Sequence, residues 1–270
     1  MLPIKPKKHT SPKSRSIKRT LVALILPCFI LALWEIAARN GWFPTSILPP
    51  PSKVAIAFWT LLFNGSLLWN ALISTARLLA GLVGGSIVGV VLGFVVGMNK
   101  RIAPVIEPTV TALIPVPAVA WIPLLIIFFG IGETTNVLLL GIGSFCVLFL
   151  QTLHGVRGID RRLVEVGQVH GKSSGIILWH ILLPGAKPEI FLGLRIALAL
   201  SWTLLVASEM IASSSGLGWL IWNSRNFSRA DEMLAGMIAV ALLGKATQYL
   251  LDRWQRKQLR WRSTFEDLNG

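Results

Sequence analysis

Glu165–Pro184 reads EVGQVHGKSSGIILWHILLP, and the rest of the chain is best read outward from it. The stretch is polar, basic and patterned, yet its loop, Gly155 to Pro188, lies between two strongly apolar segments. Arg161 to His170 is expected to form a short amphipathic helix, with Leu163, Val166 and Val169 at helical spacing. Gly171 should stop it, because glycine reaches the left-handed conformation without strain. Ser173 or Ser174 can cap a second helix, Gly175 to Leu183, and Pro184 should end that one. The expectation is a helix–glycine–helix elbow lying outside the membrane and built to grip a partner.

The sequence around the elbow sets the solvent. Of 270 residues, 53% are hydrophobic and 14% charged, with a mean hydropathy of +0.66. That balance suits a bilayer and would precipitate in water. Six apolar segments are long enough to span, near Leu21–Ala38, Leu72–Met98, Thr109–Phe129, Thr135–Gly155, Ile190–Ala212 and Met233–Leu251. The fold class is therefore all-α and polytopic, with six transmembrane helices. The net charge of +14 does not point to nucleic acid, because the Lys and Arg residues avoid the spans. Nineteen collect on the side of the elbow and four on the other, so both termini and the elbow are expected in the cytoplasm. The organisation is a basic tail (1–19), a permease domain (20–252) carrying the cytoplasmic loop 156–188, and a second basic tail (253–270). The basic start followed by an apolar run imitates a secretory signal. The run continues through Trp34, however, and Pro27 precedes Cys28 where a lipoprotein site needs a small residue, so it reads as a retained span.

Two spans carry further pattern. Gly81, Gly85, Gly89, Gly93 and Gly97 recur every four residues, a strip that lets another helix backbone come close. Packing within the chain and contact with another subunit both fit it. Pro115, Pro117 and Pro123 remove backbone donors from the third span, which should be bent or broken. Broken backbone at membrane depth survives only against protein or a water-filled cavity, so this span is a candidate lining of a pathway.

The elbow resembles the signature of the membrane subunits of ABC importers, E-A-A, three residues, G, nine residues, I-x-L-P. Glu165, Gly171, Ile181, Leu183 and Pro184 fall on its positions, while Val166 and Gly167 replace the two alanines. Gly167 costs about 1 kcal/mol of local helix stability relative to alanine. ILPPPS (Ile47–Ser52) and IPVPAVAWIPLLIIFFGIGE (Ile114–Glu133) are similar to sequences in the subfamily importing nitrate, taurine and aliphatic sulfonates. HGVRGIDRRLVE (His154–Glu165), LPGAKPEIFLGLRIAL (Leu183–Leu198) and SSGLGWLI (Ser214–Ile221) look most like aliphatic-sulfonate permeases.

That resemblance implies a type I importer fold in a bacterial inner membrane. It implies a second permease copy, two cytoplasmic ABC ATPases, and a periplasmic or lipid-anchored substrate-binding protein. ATP and Mg belong to the ATPases, and this chain binds no cofactor of its own. The elbow becomes a coupling helix, with Glu165, Val166 and Gly167 on the ATPase side and Gly171 at the turn. Ile181, Leu183 and Pro184 anchor it against the spans. The cargo is an organic anion, aliphatic sulfonate first, with taurine, nitrate, bicarbonate or a heterocyclic precursor as alternatives. Pathway candidates are Pro115, Pro117, Trp121, Ser201, Trp202 and Glu209, though for Ser201 and Trp202 ordinary helix packing is the stronger reading. Trp222, Arg225 and Arg229 form either an interfacial aromatic belt with solvated charges or a docking surface for the binding protein.

Other chemistries fit poorly. Gly171-Lys172-Ser173 imitates the end of a phosphate loop, but its first glycine would have to stand at Val166. Gly143-Ser144 has no histidine at membrane depth to act as a base, and no metal-ligand spacing occurs. Glu35, Arg77, Arg195, Glu209 and Lys245 lie within about a turn or two of span ends, and snorkelling is expected to explain most of them. An ion-coupled secondary transporter, which needs acidic groups near the midplane, is the alternative outside the family.

Overall fold

The computed structural model describes residues 12–259, whose regular structure is entirely helical, with no strand among them. In lipid a helix satisfies its own backbone groups, so so apolar a chain has few other options. The outermost parts of the two basic tails, residues 1–11 and 260–270, lie outside the described residues.

Helix α1, Pro12–Arg39, contains the expected first span. The short α2, Pro51–Phe63, was not expected, although Pro51 suits a first helical position. Glu35 joins the two. Its carboxylate accepts from the Ser52 N–H at 3.0 Å, the Ser52 hydroxyl at 2.8 Å and Arg39 Nε at 2.5 Å. It thus satisfies a donor at the start of α2 that no helix carbonyl can reach. Packing between helices, not snorkelling, accounts for this residue.

Three long helices make the centre: α3, Ser66–Met98, α6, Glu133–Arg157, and α9, Leu183–Ala212. α3 and α6 run parallel along the glycine strip. Gly81 meets Leu140, Gly85 meets Gly141, Gly89 meets Phe145, Gly93 meets Thr152 and Gly97 meets Val156. A Cβ on Gly85 would fall 2.1 Å from the Gly141 carbonyl oxygen, whereas one on Gly84 would meet nothing within 4 Å. The strip is therefore a seam inside the chain. α9 runs antiparallel to α6, bringing Gly155 against Ala186, Gly193 against Gln151 and Gly143 against Leu204. Leu78, Leu139, Leu140, Leu148 and Leu205 fill the space between the three helices.

The third span is broken as its prolines imply. α4, Ala103–Leu113, gives way to Pro115 and Pro117, a 3-10 turn at Ala118–Trp121 and α5, Ile122–Phe129, with a bend of 89° between the halves. The elbow supplies α7, Arg161–Val169, and α8, Ser174–Ile177. The chain ends with the short α10, Leu217–Asn226, and the long α11, Ala230–Gln258. Four described helices are long and apolar enough to cross a membrane, or five if the bent pair is one span.

The expectation for Pro184 is overturned. Pro184 does not end the second elbow helix, which continues into α9 as one helix, Gly175–Ala212. Leu178–Leu182 adopts a π turn, with the Leu183 N–H donating to the Leu178 carbonyl. Pro184 then sits in the first turn of α9, where its missing N–H matters least. The wider π turn makes room for a proline ring that would clash with the carbonyl four residues back.

Candidate functional site

Two groupings stand at opposite ends of α6, roughly 36 Å apart at 1.5 Å per residue. The first is the elbow. Asp160 caps α7 by accepting from the Arg162 N–H at 2.9 Å. α7 closes at Gly171, whose φ is +65°. The Gly171 N–H donates to Gln168 O at 2.9 Å and the Lys172 N–H to Gly167 O at 3.1 Å, the paired bonds of a Schellman cap. The chain reverses there in a defined geometry. Gly167 is buried because Ile177 and Ile181 lie over it, and an added Cβ would stand 3.2 Å from each. The departure from alanine thus lets the second helix pack close to the first.

The anchoring residues are placed as expected. Ile181 and Leu183 pack with Phe94, Val156, Leu182 and Ala186 at the ends of α3, α6 and α9. Pro184 is half-buried, and Ile177 and Leu182, which the motif does not mark, are more deeply buried than either neighbour. Glu165 is exposed and pairs with Arg161 at 3.3 Å. The expected apolar stripe on α7 is present but covers nothing: Leu163, Val166 and Val169 are exposed, Val169 by 86%. Beside it a cavity of about 720 Å³ is lined by Leu163, Val166, Gly167, His170, Ile181 and Pro184, among others.

The second grouping lies at the far end and was not expected. Arg77 of α3 uses all five of its N–H donors. Nε donates to Glu133 Oε2 at 2.6 Å and Nη2 to Glu133 Oε1 and to Ser215 Oγ at 3.0 Å. Nη1 donates to Glu209 Oε1 at 2.9 Å and to the Ser215 carbonyl at 2.7 Å. Glu209 of α9 also accepts from the Ser74 hydroxyl and from the Gly218 N–H at 2.8 Å. Asn70 accepts from the Gly216 N–H at 2.7 Å, and Ser74 from the Leu217 N–H at 2.8 Å. The network therefore ties α3, α6 and α9 to the start of α10. The snorkelling expected of Arg77 and Glu209 is overturned, since their side chains are 3% and 1% exposed. Each is satisfied by the other, which a buried charge requires.

Among the pathway candidates, Pro115 and Pro117 are exposed at the break in the third span, and Trp121 is half-buried. Ser201 is buried 3.3 Å from the Ser144 hydroxyl, and the Trp202 indole donates to Thr247 at 3.0 Å. In this structure Ser201, Trp202 and Glu209 thus hold helices together. Trp222 lies on α10 with the Arg225 guanidinium 5.1 Å from its ring. Arg229 follows α10, 3.4 Å from Glu232.

Residues 85–261 match the family described as binding-protein-dependent transport system inner membrane component. The chain is 41% identical over 240 residues to the putative aliphatic sulfonates transport permease protein SsuC of Escherichia coli (strain K12), spanning 89% of this chain and 91% of that protein. It is 31% identical over 255 residues to the taurine transport system permease protein TauC of the same strain, spanning 93% and 92%. In three dimensions it is similar to a chain of an inward-facing MetNI methionine ABC transporter. The TM-score is 0.63 at 18% identity, over 73% of this chain and 97% of that one, a likeness of fold.

Proposed function

This chain belongs to the binding-protein-dependent transport system inner membrane components, so it is the permease subunit of an ABC importer and not an enzyme, and we propose that it passes an organic anion, aliphatic sulfonate first, into the cytoplasm. The elbow, on the cytoplasmic side, seats in a separate ATPase. Two copies of the chain form the pore, ATP and Mg are bound by two ATPase subunits, and a substrate-binding protein delivers the anion from outside.

The observation that carries the coupling reading is the uncovered apolar groove on a stiff bracket. Leu163 and Val166 line the open groove and Val169 is exposed beside it, while Gly167, Ile177 and Ile181 lock the two elbow helices together. Exposed apolar surface on a rigid cap suits a docking face. Because the second elbow helix runs unbroken into α9, a push on the bracket reaches the centre of the bundle without crossing a flexible joint. For the cargo, the support is the likeness to a relative named for aliphatic sulfonates over most of both chains.

Reconstitution with the partner ATPase and binding protein tests both halves. Gly171→Val forces a β-branched residue into the left-handed region, costing about 1–2 kcal/mol at the turn. Stimulation of ATPase activity by the binding protein should fall by about tenfold or more. Wild-type stimulation in that variant would overturn the lever. Uptake of methanesulfonate should exceed that of taurine, nitrate and bicarbonate. Uptake driven by an ion gradient without ATP would overturn the whole reading.

A further inference from the structure

We propose that Arg77, together with the start of α6, is an oxyanion site which Glu133 of the chain itself fills, and that the anionic head of the cargo takes Glu133's place as it enters. The idea rests on the function proposed above for the sign of the cargo and for its side of arrival.

The two carboxylates on Arg77 are unequal. Glu209 is enclosed, with its own partners in Ser74 and Gly218, whereas the Glu133 side chain is 65% exposed. Glu133 holds the Nε and Nη2 edge of the guanidinium with both oxygens. That edge recognises any planar pair of anionic oxygens, and a sulfonate presents such a pair. Glu133 is also the first residue of α6, whose N-cap, Gly132, offers no side-chain acceptor. The first N–H groups of a long helix have no partner inside it and favour an anion. Hence the guanidinium edge and the uncapped helix start are joined through Glu133, and of the two carboxylates on Arg77 it is the one open to solvent.

Exchange there is contact for contact. When Glu133 swings aside and a monoanion arrives, one two-oxygen contact on the guanidinium edge replaces another, and the displaced carboxylate, already mostly exposed, is screened by water. Arg77 does not follow, because Glu209 and Ser215 keep hold of Nη1. Gly130 and Gly132, with φ of +76° and +145°, lie just before Glu133 in conformations that other residues rarely adopt.

The test uses the assembled transporter in lipid nanodiscs, without ATP. Its thermal midpoint is followed against methanesulfonate at constant ionic strength, with neutral dimethyl sulfone as the shape control. Glu133→Ala should reach half of its full shift at about tenfold lower methanesulfonate than the wild type, the worth of one charge-assisted hydrogen bond regained. Glu133→Gln should move the same way by less, R77K/E133A should lose the gain, and dimethyl sulfone should shift none of them. Wild-type behaviour in Glu133→Ala and Glu133→Gln overturns the proposal, as does a gain that survives in R77K/E133A. If that double variant fails to assemble, the two single variants decide alone. Since the assay involves neither ATP nor uptake, its failure leaves the coupling reading standing, and failed coupling leaves this site standing.

Discussion

At the scale of single residues, Arg77 matters through its count of donors. A lysine in its place keeps the charge but offers three donors from one nitrogen, which cannot reach Glu133, Glu209 and Ser215 together. Removing either carboxylate should hurt unequally. Glu209→Ala leaves a buried guanidinium without its enclosed partner and should cost about 3–5 kcal/mol of stability. Glu133→Ala removes a mostly exposed partner and should cost about 1 kcal/mol or less. Unfolding in detergent, followed by intrinsic tryptophan fluorescence, orders Arg77→Lys, Glu209→Ala and Glu133→Ala; equal losses for the two glutamates would contradict the structure. The sequence held a hint of this pair. Arg77 and Glu209 carry opposite charge near the same face of the membrane. Judged one helix at a time, however, each looks like a side chain that reaches out to the interface.

Among the elements, the α3–α6 seam makes the sharpest demand. Gly85 and Gly84 are neighbours in sequence, yet only Gly85 faces the Gly141 carbonyl. Gly85→Val should therefore cost about 1–3 kcal/mol through overpacking or prevent assembly, while Gly84→Val should be near neutral. Expression and monodispersity in detergent measure the contrast, and equal behaviour would remove the seam. The four-residue period was legible because helix geometry alone puts those glycines on one face. Which helix would fill the face was not, since two helices anywhere in a bundle can share such a strip. The elbow teaches the converse. Gly171 acted as the sequence rules say because its φ is a local property. Pro184 did not, because a π turn in the preceding residues absorbed the ring, and no propensity rule for proline foresees that.

For the whole molecule, the bundle places the bracket at one end of α6 and the Arg77 network at the other, with α10 fastened to the latter through Gly216, Leu217 and Gly218. α10 and its flank carry Trp222, Arg225 and Arg229, so this short helix is a fixed platform. If it docks the binding protein, Arg225→Glu with Arg229→Glu should weaken that complex by about tenfold and flatten its salt dependence. Surface plasmon resonance at two ionic strengths reads both effects, and unchanged affinity would leave these residues as an interfacial belt only.

The family was legible through the resemblance of Glu165–Pro184 to a known signature. Hydropathy and helical period were enough to specify a helical membrane protein and the position of its elbow along the chain. Each of those depends on the chain's local period or on its preference between water and lipid. The tertiary structure alone decided which helix fills the glycine strip, that Pro184 continues a helix, and that Arg77 sits between two glutamates 56 and 132 residues away. Those outcomes depend on which side chains meet after long loops close, and a linear period carries no record of such meetings.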